Sequence, residues 1–138
     1  EIIEKLNILY VEDEIITKDI VSQLLQNFCS NVKSASNGKE AYDIYKNEKI
    51  DLIITDLEMP KTNGLDLISK IRKDDYAVPI IVFTAYTDKN HLLPCANLNI
   101  QGYVEKPISY EKLEKIFENV LSYLDKKNNK ELFCIKRR

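Results

Sequence analysis

Short apolar runs alternate along the chain with segments whose apolar residues recur at helical spacing. The runs are Asn7-Ile8-Leu9-Tyr10-Val11, Val32-Lys33-Ser34-Ala35, Leu52-Ile53-Ile54-Thr55, Ile80-Ile81-Val82-Phe83 and Gly102-Tyr103-Val104-Glu105. Three of them are nearly all apolar, the pattern of parallel strands covered on both faces. Between the runs, Ile16, Ile20, Val21, Leu24, Leu25 and Phe28 form one stripe of helical period. Leu113, Ile116, Phe117, Val120, Leu121 and Leu124 form another; Leu65, Leu67, Ile68 and Ile71 mark a third; Ala41, Ile44 and Tyr45 mark a weaker fourth. The alternation predicts a (βα)5 chain: an α/β, doubly wound, five-stranded parallel sheet with right-handed crossovers, flavodoxin-like with strand order 2-1-3-4-5.

The segment between the fourth and fifth strands carries the weakest pattern. Leu92, Leu93, Ala96 and Leu98 suggest a helix, but Pro94 removes a donor and clashes in a helix interior. Either the helix starts near Leu93 with Pro94 in its first turn, or it is short and distorted. After Asp125 the periodicity stops at a lysine/asparagine stretch. The apolar run Leu132-Phe133-Cys134-Ile135 then leaves three readings: it docks on the body, extends the last helix, or opens a further element. Residues 1–125 therefore read as one domain and residues 126–138 as a basic C-terminal tail or linker.

Composition narrows the function classes. Of 138 residues, 44% are hydrophobic, too many for a disordered chain. No apolar run approaches the roughly 20 residues that a membrane-spanning helix needs, and no signal peptide opens the chain, so a cytoplasmic location is expected. Glu1 in place of Met is compatible with a trimmed N-terminus or a fragment. Cys29, Cys95 and Cys134 are far apart and read as small apolar residues of a reducing compartment. The tail places six basic residues against Glu131 alone, leaving the body with 14 basic and 21 acidic residues of the total 20 and 22. A body so acidic repels phosphate backbones, which argues against direct nucleic-acid binding.

In an open parallel sheet, ligands bind beyond the C-terminal ends of the strands. Strand one runs into Glu12-Asp13, strand three into Asp56, strand four into Thr84 and strand five into Lys106. Taken singly, each has an ordinary explanation: Asp13 as a helix cap, Asp56 as a turn residue, Thr84 as a strand-end hydroxyl, Lys106 as a solvated charge. Together they converge on one edge. Three crowded carboxylates repel one another unless a hard cation is bound, which suits Mg²⁺, with Mn²⁺ as the alternative. One carboxylate then serves as nucleophile toward a phosphoryl group, while the cation and Lys106 neutralise its oxygens.

The chain resembles the receiver domain of two-component response regulators over about residues 5–125. The motifs are Ile8-Leu9-Tyr10-Val11-Glu12-Asp13-Glu14, Asp51-Leu52-Ile53-Ile54-Thr55-Asp56-Leu57-Glu58-Met59-Pro60, Asn63-Gly64, Phe83-Thr84-Ala85 and Gly102-Tyr103-Val104-Glu105-Lys106-Pro107. The resemblance implies that Asp56 is the phosphoacceptor and that Glu12, Asp13, Asp56 and the Glu58 backbone carbonyl hold the metal. It implies that Lys106 contacts the phosphoryl group, that Thr84 rotates to bond it, and that Tyr103 is the aromatic switch residue. Lys106-Pro107 matches a bond commonly cis in the family. The implied function is a switch that receives a phosphoryl group from a sensor histidine kinase or phosphotransfer protein. It relays that event through the helix four, strand five, helix five face to an effector the sequence does not name. A homodimer through that face is also implied, against which Pro94 argues.

Glu58 and Tyr86 occupy positions that tune dephosphorylation in the family. His91, the one histidine, reads as a surface residue with no relay role. The rival readings are a hydrolase or phosphotransferase and a degenerate receiver serving as an interaction module. The first lacks a second Asp two residues after Asp56; the second is opposed by the complete set Glu12, Asp13, Asp56, Thr84 and Lys106. The chain carries no P-loop or dinucleotide glycine pattern. Both a stand-alone domain and one cut from a longer regulator or hybrid kinase remain open.

Overall fold

Five strands run parallel in the order β2-β1-β3-β4-β5. They are β1 (Asn7–Val11), β2 (Asn31–Ala35), β3 (Leu52–Asp56), β4 (Ile80–Thr84) and β5 (Gly102–Glu105). The computed structural model describes residues 3–59 and 63–136, with side chains described through Lys127. Pro60 and the side chains of Leu132, Phe133, Cys134 and Ile135 lie outside the described residues. The helices are α1 (Ile15–Gln26), α2 (Gly38–Asn47), α3 (Gly64–Asp74), α4 (Lys89–Leu92) and α5 (Tyr110–Lys136), with 3₁₀ turns at Ile3–Lys5 and Leu93–Cys95.

The three nearly all-apolar runs are the central strands, and the doubly wound sheet of the expected order forms around them. Every residue of β3 and β4 is buried, as is β1 after Asn7. The mixed runs with Lys33, Ser34 and Glu105 are the edges, β2 and β5, where one side of each strand meets water. Alternate residues divide the core in two. Ile8, Tyr10, Ile54, Ile81 and Phe83 pack with Val21 and Leu25 of α1 and Leu113, Phe117 and Val120 of α5. Leu9, Val11, Ile53, Ile80 and Val82 face Ala41 of α2 and Leu67, Ile68 and Ile71 of α3. Each fully buried Leu, Ile or Phe contributes about 1.5–3 kcal/mol, so these two layers dominate stability.

Two local expectations change. The α1 stripe is not buried along its whole length: Ile16 and Ile20 are 68% and 56% exposed, while Val21 and Leu25 carry the contact. Between β4 and β5 the distorted alternative holds. α4 spans four residues and gives way to the 3₁₀ turn containing Pro94, whose missing N–H is tolerated there. At the other end, the α5 backbone continues as helix to Lys136.

Arg72 ties α3 to the chain just before β5. It is 7% exposed, and its guanidinium donates to the carbonyls of Leu98 (2.6 Å), Asn99 (2.7 Å) and Asp75 (3.0 Å). Gln101 Oε1, which also accepts from the Ile80 N–H at 2.8 Å, completes the set. Asn99 takes the left-handed conformation, φ 52°, that presents its carbonyl to this cluster.

Gly64 places α3 against β3. A Cβ there would collide with the Asp56 carbonyl oxygen, which is backbone and cannot turn aside; at Gly102 it would meet chiefly the mobile end of Ile116. Gly64→Ala should therefore destabilise by about 1–3 kcal/mol, and by more than Gly102→Ala, in urea titrations of the two variants. Equal costs would mean that α3 slides freely along β3.

Candidate functional site

The chemistry-bearing residues gather at the C-terminal ends of β1, β3, β4 and β5. Register does the placing: Asp56 pairs with Phe83, and Thr84 with Glu105. The ladder continues past the strand ends, with Leu57 N–H donating to the Phe83 carbonyl (2.9 Å) and Lys106 N–H to the Thr84 carbonyl (2.9 Å). Lys106 thus begins beside Thr84, and its ammonium reaches Asp56 Oδ1 at 2.7 Å. The bond after it, Lys106–Pro107, is cis.

Asp56 is 1% exposed and Glu12 2%. One ligand oxygen from each of Glu12, Asp13 and Asp56 lies within 4.8 Å of the other two. Asp13 is available for this because Glu14, not Asp13, caps α1, accepting from the N–H groups of Ile16 (2.9 Å) and Thr17 (3.0 Å). Burial raises the Asp56 carboxyl above the ordinary aspartate range, opposed by the bond and charge of Lys106 and by the Glu58 N–H at 3.1 Å. Burial likewise pushes Glu12 up to about 7, the Asp56 charge adding to it. Burial thus disfavours the charge on both carboxyls, and the Lys106 ammonium opposes it at each. Three carboxylates against one ammonium, all within a few ångströms, form a donor set suited to a hard divalent cation.

Thr84 is fully buried, and its hydroxyl donates to Glu58 Oε2 at 2.6 Å. Glu58 Oε1 accepts from the Ala85 N–H at 2.7 Å, and His91 Nε2 lies 3.1 Å from Glu58 Oε2. His91 is therefore no plain surface residue: it is half-buried, bonded to Glu58, and its ring meets Tyr86 edge-on at 5.2 Å. No sequence signal marks this contact, which joins residues 33 positions apart across a helix too short to show a period. Tyr103 lies away from this cluster. Its ring packs with the α3-side core near Cys95, in the turn after α4, and burial raises the phenol to about 12. Cys29 and Cys95 are free, buried thiols.

Residues 8–118 match the family model of the response regulator receiver domain. The chain belongs to that family. This receiver domain is 32% identical over 124 residues to chemotaxis protein CheY-3 of Vibrio cholerae, covering 85% of this chain and 95% of that protein. It is 34% identical over 131 residues to the osmosensing histidine protein kinase SLN1 of Saccharomyces cerevisiae, covering 89% of this chain but 11% of that protein. Among solved structures, the CheX–CheY–BeF3–Mg complex of Borrelia burgdorferi aligns with a TM-score of 0.77 at 25% identity, over 84% of this chain and 89% of that one. Receiver domains are signalling proteins of two-component systems. Among the described residues, no helix is long and apolar enough to cross a membrane.

The raised Glu12 carboxyl has a measurable consequence. Its folded value, about 7, lies above the ordinary 4.5, so the folded state binds more protons than the unfolded state between those values. Stability without divalent cations should fall by about 3 kcal/mol as pH rises through that window. Chemical denaturation from pH 4.5 to 7.5 should show this slope in the wild type and lose most of it in Glu12→Gln. An unchanged slope would place the proton elsewhere.

Proposed function

We propose that this receiver domain is a phosphorylation-driven switch in which Asp56 accepts a phosphoryl group from a phosphohistidine of a sensor kinase or phosphotransfer protein. The observation that carries this reading is the 2.7 Å pair of Lys106 Nζ and Asp56 Oδ1 beside the Glu12–Asp13–Asp56 cluster. An Asp56 oxygen attacks phosphorus, the P–N bond to the donor imidazole breaks with its electron pair leaving on nitrogen, and an acyl phosphate forms. Mg²⁺, held by Glu12, Asp13, Asp56 and the Glu58 carbonyl, would supply positive charge to the phosphoryl oxygens. Lys106 follows the charge from the Asp56 carboxylate to a phosphoryl oxygen. Thr84 turns its hydroxyl to another, and Tyr103, near Cys95, responds through the segment that follows α4. Hydrolysis of the acyl phosphate by water, which Glu58 and Tyr86 flank, resets the switch. The domain catalyses both steps on itself.

The donor surface is legible beside the acceptor. Ile15, Ile16 and Ile20 stand exposed on α1, next to an open groove of about 310 Å³ lined by Thr17, Ile20, Leu24, Lys106, Pro107 and Ile108. Apolar residues so exposed suit a protein partner. The relative from Borrelia burgdorferi was solved with beryllofluoride and magnesium, which supports a phosphoryl site of the same kind here. The family match ends at residue 118, and among the residues whose side chains are described the last buried one in α5 is Val120, which supports a boundary after the last of the core positions. The effector, and any homodimer through α4, β5 and α5, belong to the output side of the same reading.

Incubation with Mg²⁺ and acetyl phosphate should add one phosphoryl unit by intact mass, absent in Asp56→Asn and without added metal. Turnover of a phosphate ester, or no adduct with any phosphodonor, would sink the reading. Ile16→Glu should slow transfer from a phosphorylated histidine phosphotransfer domain by about tenfold or more, while acetyl phosphate still labels it at the wild-type rate. Equal slowing with both donors would remove α1 from the docking surface.

A further inference from the structure

Glu58 and His91 neither accept nor neutralise the phosphoryl group, yet they meet at the residue that must respond to it. Glu58 Oε2 holds the Thr84 hydroxyl at 2.6 Å and Oε1 holds the Ala85 N–H at 2.7 Å. His91 Nε2 closes on Oε2 at 3.1 Å. A carboxylate only accepts, so Nε2 carries the hydrogen in this contact. Burial works against the Glu58 charge, but the bonds from Thr84, Ala85 and His91 outweigh it and hold the carboxyl below the usual glutamate range. The imidazole is itself supported: the His91 backbone N–H donates to Asp88 Oδ2 at 3.1 Å, and the Tyr86 ring stands against it at an interplanar angle of 67°.

A hydroxyl has one proton to give. Of its two acceptors Glu58 Oε2 is the nearer, at 2.6 Å against 3.1 Å for the Tyr86 carbonyl, and while Thr84 gives its proton to Glu58 it cannot give it to a phosphoryl oxygen. The Glu58 carboxylate also repels a second anion brought to the same place. Taking Asp56 as the phosphoacceptor, we propose that His91 is a positioning residue that pins Glu58 across Thr84 and Ala85, so that the unphosphorylated domain is latched by its own carboxylate. Phosphorylation then has to displace Glu58, and the displaced carboxylate leaves His91 without its partner. His91 belongs to α4, which has four residues and none of them buried. Loss of one bond to so small an element carries the event from the acceptor to α4.

The full chain, wild type and as His91→Ala, His91→Gln and Glu58→Gln, decides this by amide NMR and by titration with beryllofluoride and Mg²⁺. In the unmodified protein, His91→Ala should move the Ala85 amide resonance in the same direction as Glu58→Gln does. His91→Ala should also bind beryllofluoride about tenfold more tightly, the worth of one hydrogen bond to a charged group. His91→Gln keeps an N–H donor and should stay within about twofold of wild type on both measures. A wild-type Ala85 resonance in His91→Ala, or weaker beryllofluoride binding by it, overturns the latch. If no protein, wild type included, binds beryllofluoride, the phosphoacceptor reading falls, and the Ala85 resonance alone decides whether His91 positions Glu58.

Discussion

The contact between Lys106 and Asp56 carries the arrangement of the whole site. A buried aspartate next to a buried glutamate would ordinarily take up a proton and cease to be a nucleophile. The ammonium at 2.7 Å opposes that tendency at Asp56. Delivering that ammonium is a matter of topology. β5 lies two strands from β3, with β4 between, and the ladder bond from Lys106 N–H to the Thr84 carbonyl sets where the lysine side chain begins its reach. The parallel sheet is in this sense a device for bringing one cation to one carboxylate, and the crowding of the other two carboxylates follows from the same register.

Division of labour among neighbouring acids is the second constraint. Glu12, Asp13 and Glu14 are consecutive and could in principle exchange roles. Glu14 is committed to the first turn of α1 through two backbone N–H groups, and Glu12 turns inward beneath it, where the Glu14 N–H donates to its Oε2 at 3.1 Å. Asp13 is left facing the edge of the sheet. On β3 the same economy holds: Asp56 stays inward, while Glu58, two residues on, reaches over to β4.

The sheet and the site edge were legible because both are written in local patterns. Apolar runs of four or five residues mark the strands, polar interruptions mark the edges, and each functional side chain follows a strand directly. What escaped the pattern depends on contacts between distant residues. Ile16 and Ile20 have the helical spacing of buried positions, yet α1 meets the core only from Val21 onward, because period alone does not say how far a helix overlaps its layer. Pro94 announced disturbance without saying which kind. The Glu58–His91 bond and the bonds of Arg72 to Leu98 and Asn99 join residues from 26 to 33 positions apart, and no spacing rule reports such meetings.

Arg72 sets the mechanical boundary of the molecule. By gripping the carbonyls of Leu98 and Asn99 from within α3, it anchors the chain just before β5 to the rigid layer of the fold. Thr84, at the other end, is anchored in β4. The chain between them is therefore a span clamped at both ends, soft in the middle where α4 is short and exposed. A clamped span answers a push at one support by bowing, not by travelling. In the switch proposed above, a displacement begun near Thr84 would fall on α4 and the 3₁₀ turn that holds Cys95, beside the ring of Tyr103, and so on one patch of surface.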